Sequence, residues 1–455
     1  PLYRRYGFLF SKDLAQALQT RLEAGQGQTD GNLRHLYGYI AQGWIEEQQK
    51  ATEETKAAAE AACTVTVDGR TLPYRALPIA IAAEPDRGRR HALKDAKVAA
   101  DRDLLPFHRE LWEAAHGLAR ELGYMTYLDY CHAIHGVDYP ALNRQLQQFL
   151  ATTADHFRGV FGPWMQGALG IPLEAGHAAD ISHLLRQPRL DSLLPKEQLL
   201  PTLDRFTTGM GLPIAEIPAI RLDLESRPGK SPRAFCSPIA VGQEVMVTLS
   251  PHGGLPDYTT LLHELGHAYH FAFCDPSLPV EERTLGDRAV SEGFAFLFNY
   301  LPENPAFLER CVGIGDPTPV IQGVLRTKLW MLRRYGAKLN YEVALHQGPS
   351  LELAEPLYVR NLEDALLVRH EPTNALIDLD SDLYCADYLR AWIWEVQLRR
   401  HLEAQFGAEW FADPRAGRAL VELWRLGERH AADELARMVG YDSLDIGPLT
   451  DVMLG

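Results

Sequence analysis

Residues 257–273 read DYTTLLHELGHAYHFAF, and the spacing of apolar and histidine positions in this run commits it to a helix. Leu261, Leu265, Ala268 and Ala272 recur at helical intervals and form one apolar stripe. His263, His267 and His270 fall on a different face, about 160° away on the helical wheel. Asp257 or Thr259 can cap the start. A stripe of this kind has to be backed by other elements, so the stretch calls for a packed helical surround.

The histidine face carries chemistry. Positions i and i+4 lie one above the other, so His263 and His267 can offer two imidazole nitrogens to a single Zn²⁺. Glu264, one residue on, can reach a water on that ion, which is the mechanical content of the H-E-x-x-H pattern. The pattern points to a zinc hydrolase that cuts peptide bonds. His270 is seven residues from His263, a rise of about 10.5 Å. Zn–N bonds are about 2.1 Å, so one ion cannot hold both, and His270 reads as a supporting or satisfied core histidine.

Catalytic zinc sites usually take three protein ligands and keep one position open. Residues 285–301, LGDRAVSEGFAFLFNYL, place Glu292 in a markedly apolar run. A carboxylate there is costly to bury unless it is paired or metal-bound. Asp287 is better placed to cap that helix, and Glu281 and Glu282 follow Pro279 in a polar loop. Gly266 inside the histidine helix costs about 1 kcal/mol relative to Ala. A position without a side chain permits close approach of another element, and the Glu292 helix is the expected one.

These residues resemble the thimet oligopeptidase/oligoendopeptidase F metallopeptidases, whose H-E-x-G-H-x-x-H motif is matched by His263, Glu264, Gly266, His267 and His270. The resemblance is strongest over residues 220–300, where SPRAFCSPI (231–239) and EVMVTLSP (244–251) lead to Gly253-Gly254 and the helix. It implies one Zn²⁺ held by His263, His267 and Glu292, with Glu264 as general base. It also implies a narrow channel that admits short, flexible peptides. A tyrosine-bearing segment of the family stabilises the tetrahedral intermediate, and Tyr384 and Tyr388 match two of its positions. The family's further tyrosine falls on Ala391, and its preceding histidine falls near Leu379 or Asp380. His370 and Arg390 are the substitutes to consider. The 244–249 run reads as a short strand bounded by Gly242 and Pro251. It is a candidate edge for an extended peptide, or the hairpin partner of the strand at 220–224.

The 455 residues carry 45 Lys and Arg against 60 Asp and Glu, a net charge of −15, with no basic cluster. Nucleic acid and anionic membrane partners are therefore disfavoured. Six scattered cysteines without a C-x-x-C pair suit reduced thiols in the cytoplasm. No apolar run reaches the ~18 residues of a membrane span. The chain opens on Pro1 without an initiator methionine, and a missing N-terminal subdomain is one expectation from the family.

The predicted fold is mainly α, with two helical lobes around a deep substrate channel and a small sheet edge beside the zinc helix. Residues 1–170 are expected to form an N-terminal helical lobe with a short hairpin, and 171–455 the catalytic lobe. Helices are predicted over 32–62, 86–122, 139–167, 195–210, 316–346, 350–368, 382–405 and 415–439, with a hairpin turning at Asp68-Gly69. The expected activity is hydrolysis of internal peptide bonds in oligopeptides. A carboxypeptidase or dipeptidase of the angiotensin-converting-enzyme kind, and a catalytically weakened peptide-binding protein of the same fold, are the alternatives.

Overall fold

The run of Ala, Glu, Gln and Lys after Asn32 forms one helix, Gly31–Ala62, because its N-terminal half buries Tyr37, Ile40, Ala41, Trp44 and Ile45 along a single face. The computed structural model describes residues 5–25, 31–225, 227, 230 and 234–455. The chain divides into two units, one of residues 1–186 with 330–386, the other of 187–329 with 387–455.

In the first unit the long helix runs into an antiparallel hairpin, β1 (Thr64–Val67) and β2 (Arg70–Pro73). Asp68 and Gly69 both take positive φ, 51° and 75°, as a two-residue hairpin turn requires. Val65 and Val67 pack with Leu72 on a small core of Leu77, Ile81, Leu93 and Ala179. A second long helix, Arg87–Glu121, is capped by Asp86, whose side chain accepts from the Arg89 amide. The predicted helix at 139–167 is instead two, Tyr139–Thr152 and Ala154–Leu169. They break at Thr153, whose hydroxyl donates to the Phe149 carbonyl and so competes with continued helix. Residues 330–386 return to this unit. Trp330 meets Phe157 and Phe161, and buried Arg333 donates to the carbonyls of Leu150 and Ala365.

The second unit holds a three-stranded sheet, ordered β3 (Ile220–Asp223), β5 (Glu244–Thr248), β4 (Phe235–Ala240). Here two sequence expectations are corrected. The 244–248 strand is central, not an edge, and it pairs with β3 in parallel rather than as a hairpin. Its antiparallel partner is β4, so that β3 and β4 are the two edge strands among the described residues. Alternation of apolar residues shows that a segment is a strand but not which neighbour it takes. Residues 231–233 of the quoted motif lie outside the described residues. Val245 and Val247 are fully buried against the helix Leu255–Phe273, whose Leu261 and Leu265 are equally buried.

That helix starts at Leu255, with Gly254 at its cap and Pro256 in its first turn. Asp257, expected as the cap, instead accepts from the amides of His252 and Gly253 just upstream. The expected helix at 415–439 is two shorter ones, Pro414–Trp424 and Ala432–Met438. Thr318–His346, Ala354–Leu366 and Tyr384–Phe406 follow the predicted pattern closely. Among the described residues no helix is long and apolar enough to cross a membrane.

Candidate metal centre

Two helices of the second unit build the site. Leu255–Phe273 brings His263 and His267 to one face, and Arg288–Asn299 brings Glu292 opposite them. The two helices approach so closely that a Cβ added at Gly266 would lie 2.6 Å from both Ala295 Cα and the Phe294 carbonyl oxygen. Only glycine permits this spacing, and the spacing sets how far Glu292 stands from the imidazoles.

The start of the glutamate helix is fixed from outside. Asp287 caps it, accepting from the Ala289 amide. Arg390 binds both Asp287 oxygens, at 2.7 and 2.6 Å, and reaches Asp433 at 2.9 Å. Burial opposes charge on Asp287, but Arg390 more than reverses this and holds its carboxyl at about 2. Arg390, considered from sequence as an oxyanion donor, is committed to these carboxylates and acts as a brace.

His263 Nε2 and His267 Nε2 lie 3.4 and 3.6 Å from the same Glu292 oxygen. All three donor atoms fall within 4.8 Å of one another. Donors of a tetrahedral ion with bonds near 2.1 Å stand about 3.4 Å apart, so the set fits Zn²⁺ in both chemistry and spacing. Burial alone would raise the Glu292 carboxyl, yet the facing imidazoles hold it well below the usual carboxylate range. His267 Nδ1 lies 2.8 Å from the Ser291 hydroxyl, which fixes the ring and leaves Nε2 toward Glu292. Sequence reading passed over Ser291; the signal was its place beside Glu292 in an otherwise apolar helix.

Glu264 is half-buried on the same helix. Its charge reaches Cys236 on β4: burial first, then Glu264, pushes that thiol up to about 12. Glu264 therefore lies near Cys236 of the edge strand β4. His270 turns away, fully buried, with Nε2 3.3 Å from the Gly427 carbonyl and its basicity pushed down to about 3 by burial.

Tyr388 is half-buried, its ring 6.0 Å from Phe296, which lies 5.1 Å from the His263 ring. One aromatic ring therefore separates Tyr388 from a candidate ligand. Tyr384 opens the helix Tyr384–Phe406 as the half-buried first residue and belongs to the first unit, as does His370. Buried His370 has Nδ1 2.9 Å from the Val368 carbonyl. A second group, Glu342, Asp380 and Cys385, also clusters within 4.8 Å. There the Lys338 ammonium already lies 3.3 Å from Glu342 and 2.6 Å from Asp380, so the cluster's charge is met by the chain itself.

No protein-family profile matches the chain, and no curated protein matches it by sequence. Solved structures do match its fold. A protein assigned as an oligoendopeptidase F from Bacillus anthracis str. Ames superposes at a TM-score of 0.64 and 15% identity, over 99% of this chain and 78% of that one. PZ peptidase A, solved with an inhibitor, gives 0.65 and 14%, over 99% and 80%. A protein assigned as a peptidase from Chlamydophila abortus gives 0.65 and 14%, over 100% and 76%.

Proposed function

We propose that this chain, built on the fold of the oligoendopeptidase F structures, is a zinc metallopeptidase that hydrolyses internal peptide bonds of short oligopeptides. The convergence of His263, His267 and Glu292, with Glu264 beside them, carries the reading. Structural zinc sites close all four positions with protein ligands. Among the described residues this cluster offers three, which leaves a position for chemistry.

When bound, zinc supplies Lewis acidity, polarising a scissile carbonyl and easing deprotonation of water. The remaining work falls to side chains. Glu264 takes the proton of the attacking water and returns it to the leaving amine. Ser291 keeps the His267 ring oriented. Tyr384, Tyr388 or both donate to the developing oxyanion. The edge strand β4, whose Cys236 lies near Glu264, suits an extended peptide. The resemblance to oligopeptidases supports short substrates over folded proteins, and six cysteines with no disulfide among the described residues support a reducing, cytoplasmic setting.

The Glu264→Gln chain should keep one zinc ion and lose cleavage of internally quenched peptides. Surviving turnover would refute the scheme. Mass spectrometry of products from the unaltered chain distinguishes internal cutting from trimming of a terminus.

A further inference from the structure

An open groove of about 770 Å³ lies in the second unit, and none of its residues serves the metal chemistry. Small-molecule sites commonly span about 300–1,000 Å³. Val312 and Ile314, both buried, and the two prolines Pro195 and Pro319 make its apolar side. Leu193, a large apolar side chain 38% exposed, extends that side to the surface.

The other side is cationic, in a chain whose net charge is −15. Arg205 and Arg310 stand there against one carboxylate, Asp316. Asp316 accepts from the Thr318 amide and is thereby engaged, and Arg310 is paired with Glu409. Arg205 is exposed to the groove and has no ion-pair partner among the described residues.

The backbone holds that guanidinium in place. Leu308–Val312 form a single π-helical turn, closed by Gly313 at φ 92°. Such turns recur at functional sites. The Cys311 carbonyl, near the end of the turn, accepts from Arg205 Nε at 2.7 Å. With Nε so engaged, the two Nη groups remain as a fork, the geometry that takes a carboxylate in two parallel hydrogen bonds. Beyond the turn, no backbone carbonyl among the described residues accepts from the amides of Gly315 and Asp316. A Cβ added at Gly315 would meet nothing within 4 Å, so the groove is open there.

We propose that this groove binds an organic carboxylate with an apolar arm, either a free branched acid or the C-terminal residue of a peptide. The Arg205 fork takes the carboxylate, the open amides of the glycine loop favour negative charge beside it, and the arm lies along Leu193, Val312 and Ile314. The apolar side favours such a ligand over an inorganic anion, which would gain nothing from it. The assignment stands whether or not the chain is a peptidase.

Calorimetry on the full chain with isocaproate, N-acetylleucine, their neutral amides and inorganic phosphate tests it. Each acid should bind about tenfold or more tighter than its amide. Arg205→Gln should erase that preference. Gly315→Trp, which fills open space, should abolish binding without lowering the thermal midpoint. Tighter binding of N-acetylleucine marks a peptide terminus, and of isocaproate a free acid. Equal binding of acid and amide overturns the proposal, as does phosphate binding more tightly than either acid. An unchanged acid affinity in the Arg205→Gln chain overturns it too, since the acids would then be held elsewhere.

Discussion

His267 Nδ1 and the Ser291 hydroxyl stand 2.8 Å apart, so one candidate ligand is oriented by the immediate neighbour of another. Removing that contact frees the ring without touching a donor atom. Ser291→Ala should weaken zinc affinity by about 10-fold or more while leaving the fold intact. Competition with a chromophoric chelator measures it, and an unchanged affinity would show that packing alone holds the imidazole.

Gly266 makes a second, steric test. Alanine there gains about 1 kcal/mol of helix propensity, but its Cβ meets backbone atoms at 2.6 Å and the helices must part. A net loss of roughly 1–3 kcal/mol is expected, read as a lower thermal midpoint with reduced zinc content. A more stable protein that keeps its zinc would refute the account of this helix pair.

Tyr388, one ring removed from His263, lies within the unit that carries the metal centre. If its hydroxyl serves the oxyanion, Tyr388→Phe should lower kcat on the order of 10²-fold with KM nearly unchanged. A fall confined to KM would instead make it a substrate contact, and full activity would pass the role to Tyr384.

Acid should weaken the first unit through its buried histidine pair. His116 Nε2 and His346 Nδ1 lie 2.9 Å apart, and burial, then Arg120, pushes His116 down to about 4 from its ordinary 6.5. The unfolded chain therefore binds more protons between those values. The contribution is complete above pH 6.5 and is lost as pH falls toward 4, worth about 1–3 kcal/mol. Denaturation midpoints at pH 7 and 4.5 should diverge less in His116→Phe than in the unaltered chain. Equal divergence would place the acid sensitivity elsewhere.

Much of this architecture is legible in the sequence where a local rule decides it. Ala- and Glu-rich periodicity marks the helix Gly31–Ala62, and Asp68-Gly69 marks its hairpin. The i, i+4 histidines and a lone acid in an apolar run single out His263, His267 and Glu292, which the fold brings within 4.8 Å of one another. What escapes is decided at long range. The partner of Glu244–Thr248, the return of residues 330–386 to the first unit, and the Arg390 brace on Asp287 each join segments far apart in the chain. Local composition also cannot see that Thr153 ends a helix which its neighbours would continue.

The discontinuity of the first unit bears on how the protein is made. Trp330 fills the space beside Phe157 and Phe161, and Arg333 ties down the carbonyl of Leu150. A ribosome must therefore release the whole of residues 187–329 before the earlier-synthesised half receives its last core pieces. A fragment stopping at Arg186 would leave Phe157 and Phe161 without the ring that Trp330 lays against them.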